Sequence, residues 1–362
     1  MSNRRTVTHD GAGATRGSKR EPRLPILVRI KVELLKRLED GTDWLASRPR
    51  SLYGLAVTRI LLGIAGLGLL LTNFNARHYL FGAAAAWNGQ NAEPASAFPR
   101  IWLFSIFRTV ADIPAMLTFL YVVAAAAAVL FTLGWRTHVV GAAHLVLWVS
   151  LIELNDAVSD QGDNAYRIFV LLLLFTRCSE KWSFDAARSR KRGDGASGGL
   201  WFTNTVHNIA LAAMVFQVFA IYVAGGFYKL GGESWQHGYA AYLPLQTAQF
   251  GTWPELSELV TAWGPAVVIA SWGSIVIQVF FPFLVLQRST RRLGMLAVLV
   301  FHGSIGVLMG IPWFSLAMIA VDAIFVRDRT YRSIAVRMHD AMTRRRAPRA
   351  FMFTRSTTKE LV

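Results

Sequence analysis

One cysteine stands in the whole chain, Cys178, which excludes an intramolecular disulfide framework and any paired-cysteine metal or redox motif. Acidic groups are scarce too: 22 Asp and Glu face 38 Lys and Arg in 362 residues, a net charge of +16. No P-loop, HExxH, GxSxG or dinucleotide fingerprint occurs, so nothing indicates a nucleotide-driven pump. The first 23 residues are polar and basic, without the apolar stretch of a cleavable signal peptide, and read as a disordered tail. What the chain has in quantity is apolar surface. Hydrophobic residues make up 53% and mean hydropathy is +0.36, values that point to an integral membrane protein.

Eight apolar spans are predicted, near 51–72, 113–134, 138–155, 165–178, 205–229, 263–287, 293–310 and 312–326, each set against the ~20 residues that a crossing helix needs. With the N-terminus inside, 32 of the 38 Lys and Arg fall in the tails and alternate loops on the cytoplasmic side. That asymmetry gives an N-in, C-in topology and turns the positive charge into a topology signal rather than a nucleic-acid footprint. The expected fold is all-α: a bundle of about eight transmembrane helices, with interfacial or re-entrant helices on the outer side in the aromatic-rich segments 73–112 and 230–262. Those segments would roof a chamber. The organisation expected is a basic cytoplasmic tail at 1–23, an amphipathic interfacial helix at 24–50, a membrane domain at 51–326 and a second basic cytoplasmic tail at 327–362. The 24–50 helix suits either an anionic lipid surface or packing beneath the bundle.

Polar residues at membrane depth need an explanation. Lys229, in "GGFYKLGGESW", is either a surface anchor reaching the headgroups or a buried amine able to act as a base. The alternating acids of "DAVSDQGDNAYR" fit a solvated loop better than a cation site, and no metal is predicted. Asp163, Asn164 and Arg167 lie where the fourth span enters the membrane, and Arg167 and Arg59 are expected to pair with carboxylates. His302 is either a packed, hydrogen-bonded residue or a catalytic one. His207, Asn208, Gln217 and Gln278 line the same chamber or tie helices together.

Three stretches, in order, resemble the membrane part of vitamin K-dependent γ-carboxylase and its bacterial relatives, the horizontally transferred transmembrane (HTTM) family. The first is "KWSFD", with Trp182, Ser183 and Asp185. The second joins Gly226, Lys229, Leu230, Trp235, Gly238, Tyr239, Tyr242 and Leu243. The third is the "FH" of Phe301 and His302, followed by Phe314 and Ser315. The resemblance implies that Lys229 deprotonates a reduced quinone (vitamin K or menaquinone hydroquinone), whose oxidised anion abstracts a proton from a small-molecule or peptide substrate that is then carboxylated. It implies catalytic roles for Lys229, His302 and Asn164, the last standing where the animal enzyme has a histidine. Tyr222, Tyr228, Trp235, Tyr239, Tyr242 and Phe314 are assigned to the cofactor, and Asp163, Arg167, Trp182, Asp185, Gly226 and Gly238 to the motif scaffold. No large lumenal domain follows the last span, so processive carboxylation of a tethered propeptide is not expected. The competing reading is a non-catalytic membrane factor for maturation or export of a secreted peptide. Either way, the expected location is the bacterial cytoplasmic membrane, with the lipid bilayer as a partner and no nucleic acid.

Overall fold

A computed structural model describes residues 26–82, 97–192 and 200–346; the predicted N-terminal tail and part of the outer segment 73–112 lie outside them. The described residues form helices joined by turns and loops, without strands. The chain divides at Trp44. On the N-terminal side, most of α1 (Ile26–Ala46) leaves Val28, Val32, Leu34, Leu35 and Leu38 exposed, and Arg37 pairs with Glu33 one turn away.

Beyond Trp44 the helices are α2 (Leu52–Thr72), α3 (Arg77–Phe81), α4 (Pro114–Leu133), α5 (Thr137–Ile152), α6 (Gln161–Leu173) and α7 (Phe184–Arg192). They continue with α8 (Leu200–Leu230), α9 (Glu233–Gln236), α10 (Tyr242–Leu245), α11 (Pro254–Thr261), α12 (Gly264–Leu286), α13 (Arg291–Leu308), α14 (Pro312–Asp322) and α15 (Asp328–Arg346). Five of them, α2, α4, α8, α12 and α13, are long and apolar enough to cross a membrane. Helices α5, α6 and α14 coincide with the remaining predicted spans but are shorter, at 16, 13 and 11 residues. The predicted outer segments form α3, three single 3-10 turns between Phe98 and Val110, and α9 to α11. Of the predicted C-terminal basic tail, Asp328–Arg346 is helical and residues 347–362 lie outside the described residues.

Helix α2 packs against α4, α6 and α14, and α12 joins α8 to α13. Small side chains make these approaches possible in an apolar solvent that does not itself drive helices together. Ala124, Ala127 and Ala128 of the alanine run are buried on α4. Phe107 and Asn155 fasten the outer segment to the bundle, through N–H to Ser150 Oγ at 2.9 Å and amide to Leu80 carbonyl at 2.8 Å.

The "KWSFD" motif is a latch. Asp185 accepts the N–H groups of Arg136 (2.9 Å) and Thr137 (2.8 Å) and the Thr137 hydroxyl (2.7 Å), capping the N-terminus of α5 from a distant part of the chain. Ser183 Oγ accepts the Ala186 N–H at 2.8 Å at the start of α7. Trp182 takes a left-handed backbone, φ 47°, and turns its carbonyl to Arg59, which donates to it at 2.6 Å and to the Cys178 carbonyl at 3.3 Å. Arg59 is fully buried, so the expected carboxylate partner is replaced by peptide carbonyls. Those carbonyls accept from Nη1 and Nη2 without a second ion being desolvated, while Nε is buried with no hydrogen-bond partner among the described residues. Gly134, at φ 67°, closes α4 beside it, and a Cβ there would fall 2.4 Å from the Arg59 Nη1.

Candidate functional site

Helix α8 ends at Lys229 and Leu230, and Gly225 and Gly226 in its last turns bring α12 against it. A Cβ at Gly226 would lie 2.6 Å from Val279 Cγ2. This contact delivers the Gln278 side chain to Lys229, whose Nζ donates to Gln278 Oε1 at 2.6 Å. Pro282, inside α12, withholds the N–H that the Gln278 carbonyl would otherwise accept, a known cause of helix distortion. The Lys229 ammonium also sits 5.1 Å from the centroid of the Trp235 ring, within cation–π range. Among the described residues no carboxylate forms an ion pair with it. The amine is half-buried and held by a neutral amide and an aromatic face.

A second cluster lies deeper. Tyr222, two turns before Lys229 on α8, has its hydroxyl 2.9 Å from His302 Nε2 on α13 and donates to Asp322 Oδ2 on α14 at 2.6 Å. All three residues are buried. Phe301, Phe281 and Phe314 close around them, with ring centroids 4.8 Å from His302, 4.5 Å from Tyr222 and 6.1 Å from His302 respectively. His302 Nδ1 and Asp322 Oδ1 have no hydrogen-bond partner among the described residues. Lys229 lies two turns beyond Tyr222 on α8 and makes no hydrogen bond to this cluster among the described residues.

The other predicted site residues are distributed around this region. Tyr228 is 85% exposed, turned away from it. Tyr239 and Tyr242 are exposed in the outer segment, where Tyr239 stacks on His237. Gly238, at φ 78°, is buried against Val268 of α12 and permits the turn that the "WQHGY" sequence makes there. Phe314 borders a cavity of about 10 Å³ with Trp148, Asp160, Asp163, Tyr166 and Trp313. Asp163 belongs to a capping box: Asp160 Oδ1 accepts the N–H groups of Gly162 and Asp163, and Asp163 Oδ2 accepts that of Asp160. The acidic motif is therefore a helix start at these two positions. Arg167 pairs with Glu153, as expected of it, and its Nε donates to Asn164 Oδ1 at 3.1 Å, so Asn164 serves an ion pair at the mouth of α6.

His207 and Asn208 bind the segment that precedes α2. His207 Nδ1 accepts the Arg177 N–H at 2.9 Å, and the Asn208 amide donates to the carbonyls of Leu45 and Arg48 at 2.7 and 2.9 Å. They tie helices to chain; Gln278 alone of the four polar candidates meets Lys229. Asp322 was missed by sequence reasoning. A signal existed, since it is the sole acidic residue between 259 and 327, within an apolar run where a carboxylate is costly.

A family model, the HTTM domain, matches residues 47–329, which takes in every helix from α2 to α14. No curated protein and no solved structure matches the chain.

Proposed function

Because the chain belongs to the HTTM family of carboxylase-related membrane proteins, we propose that it is an integral membrane enzyme in which Lys229 deprotonates a reduced quinone and so starts oxygen-dependent proton abstraction and carboxylation of a small or peptide substrate. The observation that carries this reading is the environment of Lys229. Its Nζ has a neutral carboxamide for a partner at 2.6 Å and an aromatic face beside it, neither of which fixes the ammonium form as a carboxylate would. A base must be able to lose its proton. The aromatic groups of the outer segment, Trp235, Tyr239 and Tyr242, lie next along the chain and supply stacking surface for a quinone head, while the isoprenoid tail would lie among the helices.

Eight crossings with both termini inside, adding α5, α6 and α14 to the five long helices, put Lys229 at the outer end of α8. The bilayer is that of the bacterial cytoplasmic membrane.

Hydroquinone binding to the full chain in lipid nanodiscs tests the reading. The wild type should bind saturably and consume oxygen, and Lys229→Ala and Lys229→Met should retain binding yet lose oxygen consumption by a factor of about 10² or more, the usual worth of a positioned base. Absence of hydroquinone binding to the wild type would sink the enzyme reading. The protein would then be better sought as a non-catalytic factor for maturation of a secreted peptide.

A further inference from the structure

Tyr53, Val57 and Leu61 follow one another at four-residue steps on α2, which sets them one above the next on a single helix face. Two hollows open along that face. At its start Tyr53 borders a cavity of about 480 Å³ with Arg177, Glu180, Lys181, Trp182 and Arg190. Deeper in, Val57 and Leu61 border an apolar cleft of about 390 Å³ with Leu296 and Leu299 of α13, Ile319 of α14 and Tyr331 of α15. Both volumes are those of small-molecule sites. Tyr331 stands where the hollows adjoin: it borders the cleft, and its ring lies 6.0 Å from that of Trp182 in the cavity.

The two hollows have opposite chemistry. The cavity is cationic. Lys181 and Arg332 approach the Tyr53 ring to 5.6 and 5.7 Å, and neither they nor Arg190 form an ion pair among the described residues. The nearby acids are already engaged: Glu180 pairs with Arg177, Asp185 caps α5, and Asp328 accepts the Tyr53 N–H at 3.1 Å. The cleft is hydrocarbon, apart from Tyr331 and from Asp322, which is 1% exposed and hydrogen-bonded to Tyr222. Its Leu296 and Leu299 walls are exposed on the outside of the bundle, so a chain can enter sideways from the bilayer. Trp182 and Phe184 are exposed beside the cavity, as aromatic residues are at headgroup level.

A ligand that satisfies both hollows has an anionic head and an apolar tail. We propose that this face of α2 holds one anionic phospholipid, its phosphate among Lys181, Arg190 and Arg332 and an acyl chain in the cleft. From Tyr53 to Leu61 the helix rises about 12 Å, so the chain reaches the cleft from a head held in the cavity. Arginine and lysine suit phosphate, and basic pockets between helices are where anionic headgroups lodge. A zwitterionic lipid would bring its own cation into a cavity that already holds three unpaired ones. Bound there, the lipid ties α2, α7, α13 and α15 together, a role separate from that of the bulk bilayer and independent of the chemistry at Lys229.

Titration of the full chain in neutral detergent, read by thermal melting, tests the proposal with phosphatidylglycerol, phosphatidylcholine and glycerol phosphate. Phosphatidylglycerol should raise the melting temperature saturably. Phosphatidylcholine, and glycerol phosphate, which is the head without a tail, should do so weakly or not at all. Replacing Lys181→Gln together with Arg190→Gln should weaken the phosphatidylglycerol response about 30-fold, at about fivefold for each basic group near a lipid surface. Lys191→Gln with Arg192→Gln removes the same charge next to the cavity and should leave the response within about twofold of wild type. Leu299→Trp fills the cleft from its exposed wall. It should weaken phosphatidylglycerol without lowering the melting temperature of the lipid-free protein, and it carries the test should the cavity variant not fold.

Four results would overturn the proposal. An equal response to phosphatidylcholine would show that the head is not read. An equal response to glycerol phosphate would make the ligand a soluble phosphate compound. Equal weakening by the Lys191 and Arg192 pair would reduce the effect to diffuse surface charge, and no saturable response in the wild type would mean that the groove holds no lipid of this class.

Discussion

Asp185 shows what one side chain does for the scaffold. Burial works against its charged form, but the N–H of Thr137, the Thr137 hydroxyl and the N–H of Arg136 outweigh it, helped by the Arg188 charge, and hold the carboxyl below its usual range. A depressed folded-state value means that the ionised group stabilises the fold above the unfolded carboxyl's pKa of about 3.9, and that this stability is lost as pH falls through the lower folded value. Asp185→Ala should therefore lower the thermal midpoint in nanodiscs at neutral pH by the equivalent of about 1 kcal/mol, as loss of an N-cap does. The difference from wild type should shrink in acid as Asp185 protonates. An equal deficit at every pH would show that the carboxylate is not what caps α5.

At the scale of the elements, the contact between α8 and α12 sets the site. It is a glycine contact, and two glycines of the same sequence stretch make a controlled comparison. A side chain at Gly226 collides with Val279 Cγ2 at 2.6 Å and approaches the Val279 backbone nitrogen to 3.2 Å, and backbone cannot swing aside. At Gly231 a Cβ meets only the Tyr228 carbonyl, at 3.5 Å, an ordinary contact. Gly226→Val should cost about 1–3 kcal/mol through overpacking and, by parting the helices, draw Gln278 away from Lys229. Gly231→Ala should leave thermal stability and hydroquinone affinity near wild type. Equal tolerance at both positions, measured by thermal melting and quinone binding, would remove the packing argument.

For the whole molecule the open quantity is how many helices cross. A helix rises 1.5 Å per residue, so α5 and α6 fall short of a bilayer core by themselves and cross only with the flanking turns or where neighbours thin the apolar layer. Wild-type Cys178 is buried, which provides a quiet background for single-cysteine labelling. Trp135→Cys, before α5, Gln161→Cys, at the start of α6, and Arg188→Cys, after α6, should label from inside, outside and inside respectively with a membrane-impermeant thiol reagent. Labelling of all three from one side would show that the α5–α6 pair dips in and returns, and the crossing count would fall to six.

The sequence by itself determined that the chain is helical and membrane-bound, because twenty-residue apolar runs are a one-dimensional signal and the bilayer reads them without regard to neighbours. It also marked Lys229, since a charged group beside glycines in an apolar run is conspicuous in any register, whereas the latch motif stands out only through a family resemblance. Only the tertiary structure decided what each polar residue meets. Arg59 finds carbonyls contributed more than a hundred positions away. Asn164 answers to Arg167, and Tyr222, assigned to a cofactor by its neighbours in sequence, bridges His302 and Asp322 from two other helices. Partners of that kind are set by the rotation and depth of helices about one another. Those depend on how small residues let backbones approach, which is a property of pairs of segments rather than of any one of them.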